Sequence, residues 1–134
     1  MPPCILVVED DLGALLVLKH MVRKLGFECD VASSGSQAIN AASKRNYECI
    51  LIDLLLPDLM GTDVAKAILR SSGSISHPRM IGMATMVDEW TKNACREFGM
   101  EDVMWKPVSR EDLKRYLPAI GSEITQNIDM HVAQ

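Results

Sequence analysis

Cys4-Ile5-Leu6-Val7-Val8 runs directly into Glu9-Asp10-Asp11, and the reading of that junction decides the fold. A short continuous apolar run, β-branched in part, is the pattern of a strand covered on both faces. Three consecutive acids end it abruptly. From Leu12 to Leu25 the apolar residues Leu15, Leu16, Leu18, Met21, Val22 and Leu25 recur at three- and four-residue intervals, and Gly26 follows as a stop. That spacing predicts an amphipathic helix.

The same alternation continues outward from this unit. A strand is expected over 28–32 and a helix over 36–44, and Cys49-Ile50-Leu51-Ile52-Asp53 forms a second apolar strand that ends on an acid. Beyond a loop holding Pro57 and Gly61, the pattern predicts a helix over 62–70, a strand over 80–84 and a helix over 87–98 closed by Gly99. A short strand over 102–105 and a helix over 109–117 complete the series, with Ser109 as N-cap and Asp112 at the third helical position. Short connections across a helix cannot return antiparallel, so five strands alternating with five helices predict an α/β fold: a doubly wound parallel sheet with helices on both faces. The stretch 71–76 is rich in Ser and Gly and reads as a loop. One domain is expected over 1–120, followed by a polar, weakly patterned tail or linker over 121–134.

Composition narrows the partners. The net charge of −4, with no Lys/Arg cluster, opposes attraction to phosphate backbones, so no nucleic acid is expected as partner. The apolar runs are far shorter than a membrane span, and no basic segment leads into an apolar signal core. No membrane contact and a cytoplasmic location are therefore expected of this domain. Cys4, Cys29, Cys49 and Cys95 are widely spaced without a CxxC pair, and read as small hydrophobes in a reducing compartment.

In an open parallel sheet the ligand crevice lies beyond the carboxyl ends of the strands. Glu9, Asp10 and Asp11 end the first strand, Asp53 the third, Ala84-Thr85 the fourth and Lys106-Pro107 the fifth, so all of them converge on one edge. Carboxylates gathered there would repel one another by ~4 kcal/mol per close pair at an intermediate dielectric. Such a cluster calls for a cation. Oxygen ligands without Cys or His point to a hard ion, Mg²⁺ or Mn²⁺, and Mg²⁺ characteristically shares its shell with phosphate oxygens. A carboxylate can then act as nucleophile toward phosphorus, with Asp53 as nucleophile and Lys106 as the positioned cation.

Together these residues resemble the response-regulator receiver family over roughly 4–117. ILVVEDD is similar to its acidic first-strand motif, and ILIDLLLPDLMG to its phosphoacceptor strand and loop, with Pro57 and Gly61 following Asp53. Lys106-Pro107 is similar to its closing motif, whose Lys-Pro bond is usually cis. The resemblance implies a flavodoxin-like sheet of order 2-1-3-4-5. It implies that Glu9 and Asp10 serve the metal, Asp10 more directly, that Asp53 is both phosphoacceptor and metal ligand, that the Leu55 backbone carbonyl completes the protein ligands, and that Lys106 contacts the phosphoryl oxygens. The implied partner is a histidine kinase or a histidine phosphotransfer protein. LVVEDD, RKLGFECDVASSG and IGMAT are similar in style to receivers of hybrid histidine kinases, so kinase domains attached in a longer parent chain are also implied. For this chain alone the expected chemistry is phosphoacceptance with self-dephosphorylation, not turnover of a substrate as an enzyme.

Two positions depart from the pattern. Ala84, not Ser or Thr, stands where the phosphate-sensing hydroxyl usually sits; Thr85 could take that place if the strand end bulged by one residue. Val103 stands where Tyr or Phe is common. A second reading follows from both: a pseudo-receiver that docks partners without phosphorylation. A flavin-binding electron carrier on the same strand order is disfavoured, because acids stand where a phosphate-cradling loop should be. Asp11 could equally cap the first helix, and Asp58 and Asp63 read as solvated or capping residues. His20 is expected on a helix surface, His77 in a polar loop and His131 in the tail. Met80, Met83 and Met104 read as core. Trp105, beside Lys106, is balanced between burial and a partner surface, and Trp90 raises the same question.

Overall fold

In the computed structural model, residues 2–71 and 77–117 are described. The expected tail over 121–134, His131 and most of the 71–76 loop lie outside the described residues.

The elements follow in the order β1 (Cys4–Val8), α1 (Leu12–Lys24), β2 (Glu28–Ala32), α2 (Gly35–Lys44), β3 (Cys49–Asp53), α3 (Gly61–Ser71), β4 (Arg79–Ala84), α4 (Glu89–Glu97), β5 (Asp102–Trp105) and α5 (Arg110–Tyr116). All neighbouring strands pair parallel, in the order β2-β1-β3-β4-β5. The expected flavodoxin-like doubly wound sheet is the one observed.

The central strands form where they do because both faces are covered. Every residue of β1 and β3 is buried. Alternate side chains feed two separate cores. On one face Ile5, Val7, Leu51, Ile81, Met83 and Met104 pack with Leu15, Leu18 and Val22 of α1 and Leu113 of α5. On the other, Leu6, Val8, Ile50, Ile52, Met80 and Val103 meet Ala38 of α2, Val64, Ala65 and Ile68 of α3, and Cys95 of α4. Each large side chain so buried contributes about 1.5–3 kcal/mol. Met80, Met83 and Met104 belong to these cores, as their place on strands predicted.

Local chemistry sets the helix starts. Asp11, Ser34, Asp88 and Ser109 each accept a hydrogen bond from the backbone N–H three residues on. The ambiguity over Asp11 resolves as a cap. The Asp88 cap also explains why α4 begins at Glu89 rather than at Val87, which turns into the core instead. Leu16, counted from its spacing with the apolar stripe of α1, is 55% exposed, because Leu15, Leu18 and Val22 already fill the face toward the sheet. All four cysteines are free thiols. Among the described residues no helix is long and apolar enough to cross a membrane.

Candidate functional site

The parallel register brings the acids together. Val8 lies opposite Ile52, so Glu9, one residue beyond β1, comes level with Asp53 at the end of β3. Ala84 lies opposite Trp105, and Lys106 N–H donates to the Ala84 carbonyl at 2.8 Å, which extends the pairing to the residue that carries the ammonium group. The Lys106-Pro107 bond is cis.

Asp53 is buried, and both of its carboxylate oxygens are engaged. Leu55 N–H donates to Oδ1 at 3.0 Å and Lys106 Nζ to Oδ2 at 2.9 Å. Glu9 is fully buried, and Asp11 N–H donates to its Oε2 at 3.3 Å. Its Oε1 lies 2.7 Å from Lys106 Nζ, an ion pair without hydrogen-bond alignment, and this buried oxygen accepts no hydrogen bond among the described residues. One ammonium therefore faces two buried carboxylates.

Burial first, and the neighbouring Asp53 next, push the Glu9 carboxyl up to about 7. Burial alone would lower Lys106, but its contacts with Glu9 and Asp53 outweigh that effect and leave its pKa raised. The pocket is thus short of positive charge. Asp10 is exposed at its mouth, and one carboxylate oxygen each from Glu9, Asp10 and Asp53 lie within 4.8 Å of one another. An oxygen-only donor set, in which the buried Glu9 Oε1 accepts no hydrogen bond among the described residues, fits a hard divalent cation.

The structure brings Glu9, Asp10, Asp53 and Lys106 to one pocket, with Leu55 on its rim. Thr85 is not drawn inward by a bulge: β4 keeps unbroken register with β3 through Met83 and with β5 through Ala84, and Thr85 follows as an exposed residue. Val103 is buried in the core, its Cγ2 beside Gly82. His20 is exposed on α1, and His77 precedes β4 at the far end of the sheet. Both tryptophans are exposed, Trp90 at 78% and Trp105 at 53%, with Met86 at 66% on the loop between β4 and α4.

Sequence reasoning missed two features of the loop after β3. The Leu55 N–H orients the Asp53 carboxylate, where only the carbonyl of that residue was expected to serve. Gly61 sits so close beneath Asp53 that a Cβ there would lie 2.5 Å from the Asp53 carbonyl oxygen and 2.7 Å from Leu54 Cα. Its position eight residues after Asp53 was the available signal, though spacing alone says nothing of the contact.

Comparison with known proteins agrees with this geometry. Residues 5–118 match the family model described as the response regulator receiver domain. Hybrid signal transduction histidine kinase F of Dictyostelium discoideum is 32% identical over 123 residues, covering 86% of this chain and 11% of that protein. Sensory transduction protein RegX3 of Mycolicibacterium smegmatis is 32% identical over 125 residues, covering 93% of this chain and 53% of that protein. The chain thus spans only part of the length of these relatives. The receiver domain of a sensor histidine kinase from Pseudomonas aeruginosa, solved with a magnesium ion coordinated in its active-site cleft, superimposes with a TM-score of 0.79 at 28% identity, covering 91% of this chain and 99% of that one. By its family match, its strand order and its acidic pocket, the chain belongs to the response regulator receiver domains of two-component signalling.

Proposed function

We propose that this domain takes a phosphoryl group from a partner's phosphohistidine onto Asp53, with Mg²⁺ or Mn²⁺ held by Glu9, Asp10, Asp53 and the Leu55 carbonyl. The observation that carries the reading is the doubly anchored Asp53 carboxylate, with Lys106 Nζ 2.9 Å from one oxygen and Leu55 N–H 3.0 Å from the other. A carboxylate so fixed loses little orientational freedom when the donor arrives. One of its oxygens attacks phosphorus; the P–N bond to the donor imidazole breaks, and the imidazole nitrogen keeps the electron pair. Lys106 then follows the charge onto the phosphoryl oxygens. A bound divalent cation would supply further neutralisation of those oxygens. Attack of water on the acyl phosphate later releases inorganic phosphate and restores the carboxylate. The donor would be a histidine kinase or histidine phosphotransfer protein, in trans or attached in a longer chain. As in the family at large, the site transfers a group to itself once per cycle, so this chain alone is not an enzyme with a turned-over substrate. Its setting would be the cytoplasm.

Acetyl phosphate with Mg²⁺ is expected to add the mass of one phosphoryl group to the wild-type chain and to the control His20→Gln, but not to Asp53→Asn. Labelling that survives Asp53→Asn contradicts the assignment.

A second reading, a docking module that works without phosphorylation, is favoured by Ala84 at the strand end and by the buried Val103. Neither offers a hydroxyl or a mobile ring to report a phosphate, and Thr85 could serve only from the exposed loop. Failure to bind Mg²⁺ or Mn²⁺ in a calorimetric titration would select this alternative.

A further inference from the structure

The side chain of Asp58 belongs to the loop after β3, yet it accepts three hydrogen bonds from another element. Its Oδ1 accepts from Gly35 N–H at 2.8 Å, and its Oδ2 accepts from Ser36 N–H and from Ser36 Oγ, both at 2.9 Å. Those amides are the first two of α2, which the helix cannot satisfy itself. The third, Gln37 N–H, is already taken by Ser34 Oγ at 3.2 Å. The contact beneath is equally close: a Cβ on Gly35 would meet Val64 at 2.8 Å and Leu59 at 3.0 Å. The loop is therefore fastened to α2 by charge-assisted hydrogen bonds at a helix N-terminus and by packing of the next residue.

At its other end the same loop carries the groups the chemistry uses. Leu55 N–H holds Asp53 Oδ1, Leu55 bridges to Met60, and Gly61 N–H donates to the Leu54 carbonyl at 2.8 Å. Between these closures, Asp58 is at the turn, so the path of residues 54–61 is closed at its feet by its own backbone, anchored to β4 through Leu54 N–H to the Met83 carbonyl at 3.0 Å, and tied at its apex to α2. We infer that Asp58 is a positioning residue for the phosphoacceptor loop, acting through the backbone of Leu55 to set the Asp53 carboxylate and the carbonyl offered to the cation. It touches neither the cation nor phosphorus. The inference rests on the proposed function for its consequence, but not for the mechanical tie.

The test separates loop positioning from helix capping by using two variants that uncap the same helix. Asp58→Ala removes the tie and the cap; Ser34→Ala removes only a cap. The readouts are amide hydrogen exchange at Leu55 in metal-free protein, Mg²⁺ affinity by calorimetry, and the acetyl phosphate labelling rate. Asp58→Ala is expected to speed exchange at Leu55 and to weaken Mg²⁺ binding about tenfold, the scale on which groups behind metal ligands act, with labelling slowed in parallel. Ser34→Ala is expected to lower the melting temperature and leave all three readouts at wild-type values. Asp58→Asn, which keeps one acceptor oxygen, should fall between wild type and Asp58→Ala. Unchanged exchange and affinity in Asp58→Ala overturn the inference, as do equal changes in Ser34→Ala. If the wild-type chain binds no Mg²⁺, the proposed function fails, while exchange at Leu55 still decides whether the tie exists.

Discussion

Glu9 carries the sharpest electrostatic conflict among the described residues. It is fully buried, level with a second carboxylate, and shares one ammonium with it. Its carboxyl is pushed up to about 7 from an ordinary 4.5. The folded chain thus binds a proton there more tightly than the unfolded chain, and stability must fall as pH rises between those values. In cation-free buffer this contribution is fully present below about 4.5 and lost above about 7. Melting temperatures measured across that window, corrected for the slope of Asp53→Asn, should show the decline, and the variant should show less of it because the repelling neighbour is gone. A wild-type profile no steeper than that of Asp53→Asn would contradict the account of Glu9. That the acids would meet was legible in their places at strand ends. That Glu9 would be buried and Asp10 exposed was not, since adjacent residues leaving a strand point to opposite sides and sequence does not say which side is covered.

At the level of elements, the strands were the most legible part. The expected strands at 4–8, 28–32, 49–53 and 102–105 match the observed bounds, and for 4–8 and 49–53 the reason is that a short apolar run between polar breaks has few alternatives. Helix ends moved by a residue or two where a cap decided them, as at Asp88. The facing of exposed apolar residues was illegible: Leu12, Leu16, Leu55, Met86, Trp90 and Trp105 all remain in solvent, and nothing in a hydrophobic letter records what covers it. The fastening of the β3–α3 loop to α2 was equally hidden, for Asp58 and Ser36 stand 22 residues apart. Gly61 exposes the tightness of that junction. Its Cβ would strike backbone atoms, which cannot swing aside as a side-chain tip can. Gly61→Ala is expected to destabilise the fold by about 1–3 kcal/mol in urea unfolding, the usual cost of overpacking, and to slow labelling of Asp53. Wild-type stability in that variant would show the approach to be looser than described.

The described residues build two apolar cores on either side of one sheet, with the Glu9, Asp10 and Asp53 cluster at one edge of it. A cation that binds only the folded chain stabilises it by mass action, by about 2.7 kcal/mol at a hundredfold excess over Kd. Mg²⁺ should therefore raise the melting temperature, while NaCl at matched ionic strength should not, and Asp53→Asn should respond less than wild type. Equal responses to the two salts would mean general screening rather than a site.

The central claim is that one named carboxylate becomes the acyl phosphate. Borohydride reduces an aspartyl phosphate to homoserine, so the chain can be labelled with acetyl phosphate and Mg²⁺, reduced, digested and read by peptide mass spectrometry. The account requires conversion of Asp53 to homoserine, with Asp10, Asp11 and Asp58 unmodified. Conversion at another acid, or an unmodified Asp53 in protein that has gained a phosphoryl group, would contradict it.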